Sequence, residues 1–200
     1  MSARMVVFGF EAFGEERINP SEVAVRALHG RTLGGVELVG SVLPVTYANA
    51  FSTLRPVLDA VRPVAVMGVG QGGERFQVES QARNVVGGKP DNQGRSVGGQ
   101  VQEGGRDVIP VTADAAALVD TLQGVLADAG STLAGLLSQD AGSYLCNHTL
   151  YHVLTWADGR MPCAFVHVPK LKVAEQALIN RVVEAVAGAM VLQTRRAIVA

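Results

Sequence analysis

Short apolar runs alternate with helix-length amphipathic stretches along the whole chain. Met5–Phe10, Val36–Pro44, Val64–Gly68 and Ala164–Val168 are apolar almost throughout, and their length predicts buried strands. Phe76–Val86 carries strand character as well, and Ala141–Leu145 reads as a short strand-like piece. Between them, apolar residues recurring three and four apart predict helices over Pro20–Leu28, Ala48–Val61, Ala113–Ala129, Cys146–Ala157 and Ala174–Leu192. The first helix opens on a capping-box pattern, with Asn19 at the N-cap, Pro20 at N1 and Glu22 at N3. Strands that are continuously apolar are buried on both faces, as in a parallel sheet covered by helices. The expected fold is a three-layer α/β/α sandwich around a mainly parallel, twisted central sheet. No repeat or linker divides the sequence, so residues 1–200 read as a single domain.

Composition narrows the possible roles. An apolar share of 48% with 18% charged residues is enough for a large core. A net charge of −1 gives no pull toward nucleic acid or an anionic membrane. The chain enters a strand-like run at Met5 without the h-region of a signal peptide. The most apolar helical stretch, Val182–Leu192, is interrupted by Glu184 and reads as too short to span a bilayer. Two cysteines, Cys146 and Cys163, do not make a secreted disulfide framework, so a cytoplasmic location is expected.

The chemistry gathers around Cys146. Leu150, Val153, Leu154 and Ala157 form the apolar stripe of the helix that Cys146 opens. Free N–H groups and the positive dipole end at a helix N-terminus favour a thiolate, the nucleophilic form. His167 lies twenty-one residues further on, near the end of a buried strand that Pro169 stops. A βαβ unit of that length would bring both strand ends to one edge of the sheet, where α/β folds keep their sites. Against this stands an ordinary strand histidine satisfied by backbone contacts, and on position alone the two readings balance. A third group should orient the imidazole. Glu79 is a candidate carboxylate, although most glutamates in such segments face water.

Three other features have plainer readings. Gly68-Val69-Gly70-Gln71-Gly72-Gly73 matches a dinucleotide fingerprint, but no helix follows, so it reads as a tight loop at the active edge. His148 and His152 are spaced four apart but lack the glutamate of a zinc motif, which favours packing histidines. Cys163 opens a buried strand and reads as a small core residue. The stretch from Gly87 to Arg106 is irregular, with seven glycines up to Gly105, and is expected to be a mobile loop that orders over a ligand.

Ser138-Gln139-Asp140-Ala141-Gly142-Ser143-Tyr144-Leu145-Cys146-Asn147-His148-Thr149-Leu150-Tyr151 resembles the cysteine signature of the pyroglutamyl peptidase I (pyrrolidone-carboxylate peptidase) family. Gly9–Gly14 with Ile18-Asn19-Pro20-Ser21 is similar to that family's opening, Val78-Glu79 with Ala82-Arg83-Asn84 to its glutamate signature, and Phe165–Pro169 to its histidine strand. The resemblance implies a triad of Cys146 as nucleophile, His167 as base then acid, and Glu79 as orienting carboxylate. It also implies removal of pyroglutamate from peptide N-termini through an acyl-enzyme, without metal or cofactor, by an enzyme that forms homo-oligomers, a dimer or tetramer. Phe10 and Phe13 would sandwich the lactam ring, Asn19 and the Gln71 loop would meet its N–H and C=O, and Tyr144 and Leu145 would complete the pocket. Such a site suits a neutral, compact ring with one donor and one acceptor.

The chain also departs from the family's pattern. The Gln71–Glu79 stretch is shorter, Ser80-Gln81 replaces a basic-then-apolar pair, and Gly87–Asn92 replaces a segment carrying acidic residues and an arginine. In the family that arginine stands near the substrate carbonyl. Lys89, Arg83 or a backbone N–H beside Cys146 are the candidate replacements. Two alternatives remain at this point: a binding protein that kept the fold and lost the chemistry, and a broader cysteine amidase using the same Cys-His pair.

Overall fold

The computed structural model describes residues 2–199, with side chains through Thr194. Its elements, in chain order, are β1 Arg4–Phe10, α1 Pro20–Leu28, β2 Thr32–Leu33, β3 Val36–Leu43, α2 Ala50–Val61, β4 Ala65–Gln71, β5 Phe76–Glu79, β6 Gln81–Arg83, β7 Val108–Pro110, α3 Ala115–Asp128, β8 Gly135–Ser138, α4 Leu145–Ala157, β9 Cys163–Val168 and α5 Gln176–Val199. Seven strands form one sheet in the order β2-β3-β1-β4-β9-β5-β8, and β6 pairs with β7 in a separate ribbon. The four central strands run parallel, while β2 and β5 lie antiparallel to β3 and β9. This is the expected three-layer sandwich. One face of the sheet packs its Met5, Val7, Met67 and Val166 against α1, α3 and α5; the other packs Val6, Phe8, Val66 and Phe165 against α2 and α4.

Several boundaries differ from the sequence reading, each for a physical reason. At the N-cap of α1, Asn19 accepts from the Ser21 N–H, but Glu22 pairs with Arg26 and does not close a capping box. Helix α2 begins at Ala50 and runs through Pro56, because Leu54, Leu58 and Val61 are buried on both sides of it. The strand expected over Phe76–Val86 breaks at Ser80, where the Ser80 N–H and Oγ both donate to the Ser138 carbonyl and the chain leaves for the ribbon. Ala141–Leu145 is not a strand. The strand before α4 is β8, a short sheet edge whose Leu136 and Leu137 are exposed.

The expected βαβ relation between Cys146 and His167 does not occur either. Strand β8 runs parallel to β5, β5 runs antiparallel to β9, and β5 lies between the two. Six residues, 139–144, join β8 to α4. Within α5, Gln176–Thr194 is long and apolar enough to cross a bilayer by length and composition, longer than the sequence reading of Val182–Leu192. Its Ile179, Val182, Val186 and Met190 are buried against the sheet.

Candidate active site

Gly68, Gly70 and Gly72 stand two apart at the end of β4, so the side chains they lack would share one face of the sheet. A Cβ on Gly68 would meet the rings of Phe165 and Phe8. One on Gly70 would lie 2.8 Å from Cys146 Sγ and 2.9 Å from Phe165 Cζ, and one on Gly72 would lie 3.0 Å from His167 Cβ. The glycine run therefore clears the space into which thiol and imidazole lean. It is strand as far as Gln71 and not the tight loop expected, and its glycines serve close approach. Gly70→Ala is expected to push the thiol aside and lower kcat about 100-fold, the scale of an ångström-sized misplacement at a reacting centre. Steady-state kinetics, with far-UV circular dichroism to verify the fold, checks this.

Strand register brings His167 and Glu79 together. Glu79 pairs with Phe165 and His167 with Gln77, so the two side chains are diagonal neighbours on one face of an antiparallel pair. His167 Nδ1 lies 2.7 Å from Glu79 Oε1. Glu79 is fully buried and His167 is 8% exposed. A carboxylate can only accept, so Nδ1 carries the proton and Nε2 is left for the sulfur. Burial pulls the imidazole pKa down, but the charge and hydrogen bond of Cys146, followed by those of Glu79, outweigh it and raise the value to about 10.

Cys146 is the second residue of α4. Asn19 and Asp114 cap α1 and α3 with their side chains, whereas Tyr144 at the same position of α4 does not. The N–H groups of Leu145, Cys146 and Asn147 have no partner among the described residues. They form a set of donors at the positive end of a helix, beside the thiol.

These groups meet at a cavity of about 580 Å³ on the carboxyl edge of the sheet. β1 follows β3 to Phe10 but β4 only to Phe8, so β1 and β4 part there. β1 leads through α1 on one face of the sheet to β3, and β4 is reached through α2 on the other face, so the strand order switches here, where doubly wound folds open a crevice. Phe10, Phe13, Asn19, Gln71, Tyr144 and Leu145 all line the cavity with Cys146 and His167, and Glu79 stands behind the imidazole. Phe10 is held by Phe8 and Phe165, at ring distances of 6.0 and 6.5 Å, and Phe13 leans on Tyr144 at 6.1 Å. Asn19 has little left for a ligand: its Oδ1 accepts from the Ser21 N–H and hydroxyl, and its Nδ2 donates to the Glu11 carbonyl. The Tyr144 hydroxyl donates to the Pro90 carbonyl, so its ring and not its hydroxyl faces the cavity.

Two features escaped the sequence reading. Asn147, fully buried, accepts from the Arg83 N–H and donates to the Arg83 and Val85 carbonyls, fastening the chain after β6 to the start of α4. Its position after the nucleophile was visible, but its partners sixty residues away were not. The second is the character of the glycine-rich segment. It is irregular, and its first part is tied down as a strap: the Gly87 N–H donates to the Ser143 carbonyl, the Tyr47 and Tyr144 hydroxyls donate to the Lys89 and Pro90 carbonyls, and the Asn92 N–H donates to the Val45 carbonyl. Of the groups considered for the substrate carbonyl, Arg83 is bound to Asp140 at 2.5 Å and lies outside the cavity lining, whereas Lys89 is part of it.

His148 and His152 pack against each other with ring centroids 4.6 Å apart, and His152 stacks on Phe51. Burial, followed by the neighbouring His152, pushes the His148 pKa down to about 4. Among the described residues no third ligand joins them. Burial likewise pushes the Cys163 thiol up to about 12, as suits a core residue.

An α/β sandwich with thiol, imidazole and buried carboxylate gathered at the carboxyl edge of its sheet is that of a cysteine hydrolase. The pyroglutamyl peptidase family model matches residues 3–199. The chain is 35% identical over 174 residues to the pyrrolidone-carboxylate peptidase of Coprothermobacter proteolyticus, covering 84% of this chain and 81% of that protein. It is 37% identical over 183 residues to the enzyme of that name from Erwinia tasmaniensis, covering 88% and 81%. The pyrrolidone carboxyl peptidase structure from Thermococcus litoralis superposes with a TM-score of 0.87 over 98% of this chain and 96% of that one, at 22% identity, a likeness of fold. The chain belongs to the pyroglutamyl peptidase family.

Proposed function

We propose that this protein hydrolyses the amide bond after an N-terminal pyroglutamyl residue of peptides, as a cysteine exopeptidase using Cys146, His167 and Glu79. The observation that carries the reading is His167, which shares the cavity with Cys146 and has its Nδ1 2.7 Å from the fully buried Glu79 carboxylate. The Cys146 thiolate attacks the pyroglutamyl carbonyl, and the oxyanion that forms is received by the free N–H groups at the start of α4. His167 Nε2 gives its proton to the leaving amine, and the thioester remains on Cys146. The imidazole, now neutral, takes a proton from water, the hydroxide attacks the thioester, and pyroglutamate leaves as the thiolate returns. Glu79 keeps the ring in one tautomer through the cycle.

The cavity supports the choice of acyl group. Phe10, Phe13 and the Tyr144 ring offer flat apolar surface, and the Gln71 amide, without a partner among the described residues, can pair a lactam N–H or C=O. Proline lacks that N–H and the ring carbonyl, so a site that pairs them rejects it. Hydrolysis of a fluorogenic pyroglutamyl amide beside the prolyl amide tests the reading. Turnover of the first alone is expected. Comparable turnover of both would assign the protein to the broader amidases.

A further inference from the structure

The lactam is neutral, yet the cavity wall is not. Its lining contains no aspartate or glutamate, and beside His167 its charged side chains are Lys89 and Lys170. Lys170 is paired with Glu16 at 3.2 Å. Lys89 has no ion-pair partner among the described residues. An exposed lysine is ordinarily a solvated one, but the backbone of this one is fixed. The Gly87 N–H donates to the Ser143 carbonyl at 2.9 Å, and the Ser143 hydroxyl donates back to the Gly87 carbonyl at 3.1 Å. The Lys89 carbonyl accepts from the Tyr47 hydroxyl at 3.2 Å and the Pro90 carbonyl from the Tyr144 hydroxyl at 3.0 Å. Gly88 turns the chain through a φ of +98°, where a side chain would be strained. The strap thus holds the root of an unpaired ammonium at the wall of the site, next to the residues that lead into Cys146.

We infer that Lys89 reads a carboxylate on the leaving side of the substrate, so that short pyroglutamyl peptides bearing a free α-carboxylate are the preferred class. The inference rests on the peptidase reading above and specifies its substrate. A cavity of about 580 Å³ leaves room beyond a five-membered ring for the residue after the scissile bond. In a pyroglutamyl dipeptide the α-carboxylate lies on that very residue, about 3.8 Å of chain from the lactam residue. Longer peptides carry that charge away from the site, and amides lack it.

The test compares pyroglutamyl-alanine with pyroglutamyl-alanine amide, following released product by chromatography, for wild type, Lys89→Gln and Lys89→Arg. Wild type is expected to favour the acid in kcat/KM by about threefold, the scale of an exposed ion pair. The preference should shrink between low salt and 0.5 M salt, fall to about unity in Lys89→Gln, and return in Lys89→Arg. Equal rates on acid and amide by wild type would overturn the inference alone. So would a Lys89→Gln protein that loses the same factor on both substrates, since that would place Lys89 at the reacting carbonyl. Release from neither substrate would overturn the peptidase reading and this one with it.

Discussion

Cys146→Ala is expected to abolish turnover of a pyroglutamyl amide, by on the order of 10⁴-fold or more, the scale on which nucleophile deletions fall in thiol and serine hydrolases. The same variant carries a second readout that a merely misfolded protein would not give. The Cys146 sulfur is the strongest influence holding the proton on His167 against burial. Without it, the imidazole keeps Glu79 as partner but loses the larger attraction, so its pKa should fall from about 10. The consequence for stability has a definite sign. A histidine raised from its ordinary 6.5 to about 10 contributes fully below pH 6.5, progressively less between 6.5 and 10, and nothing above. Imidazole NMR should find the wild-type ring protonated well above pH 8 and the variant titrating lower. Thermal melts should show the alkaline loss of stability shallower in Cys146→Ala. A variant whose ring titrates as in wild type would remove the thiol–imidazole interaction from the account.

Much of this was legible in the chain because two of its signals are local. Continuous apolar runs gave the buried central strands, and the stripe from Leu150 to Ala157 placed Cys146 at a helix start. The Asn19 cap and Pro20 fixed the start of α1 to the residue. What stayed hidden depends on long-range register. β8 is a short edge whose middle leucines face outward, so it lacks the pattern of a core strand. β7 and β6 are short partners in a ribbon, stabilised by each other and by Tyr151 donating to the Arg106 carbonyl.

The same division runs through the site. His167 could be placed by its position before Pro169, but β8 and β9 run in opposite directions with β5 between them, so Cys146 and His167 converge by a route other than a βαβ unit. Glu79 could not be distinguished from a solvent-facing glutamate without the family motif. Its function depends on the antiparallel offset between β5 and β9, an arrangement across 88 residues that no local pattern encodes. The alternating glycines at the end of β4 match a dinucleotide fingerprint because both uses require missing side chains. Only the neighbours show whether the vacated space holds a ligand or a catalytic pair.

That offset makes Glu79 the position where a single atom should matter most after the nucleophile. Its Oε1 accepts a hydrogen bond from His167 Nδ1–H, while its Oε2 is buried without a partner among the described residues. A buried carboxylate so sparsely satisfied is costly and is retained here opposite a cationic imidazole. Glu79→Gln keeps the shape and removes the charge. The amide can then turn its N–H₂ toward Nδ1, which becomes an acceptor, and the ring proton moves to Nε2 in the neutral ring. Such a ring cannot take a proton at Nε2, so deacylation suffers along with the stability of the imidazolium. A kcat loss of about 10³- to 10⁴-fold is expected, by analogy with the carboxylate-to-amide change in serine peptidases. KM should move little, because Glu79 lies behind His167 and outside the cavity lining. The melting temperature should also change little, since the substitution relieves an unsatisfied charge while weakening an ion pair. A Glu79→Gln enzyme with kcat within a few-fold of wild type would reduce Glu79 to a structural residue and leave Cys146 and His167 as a dyad.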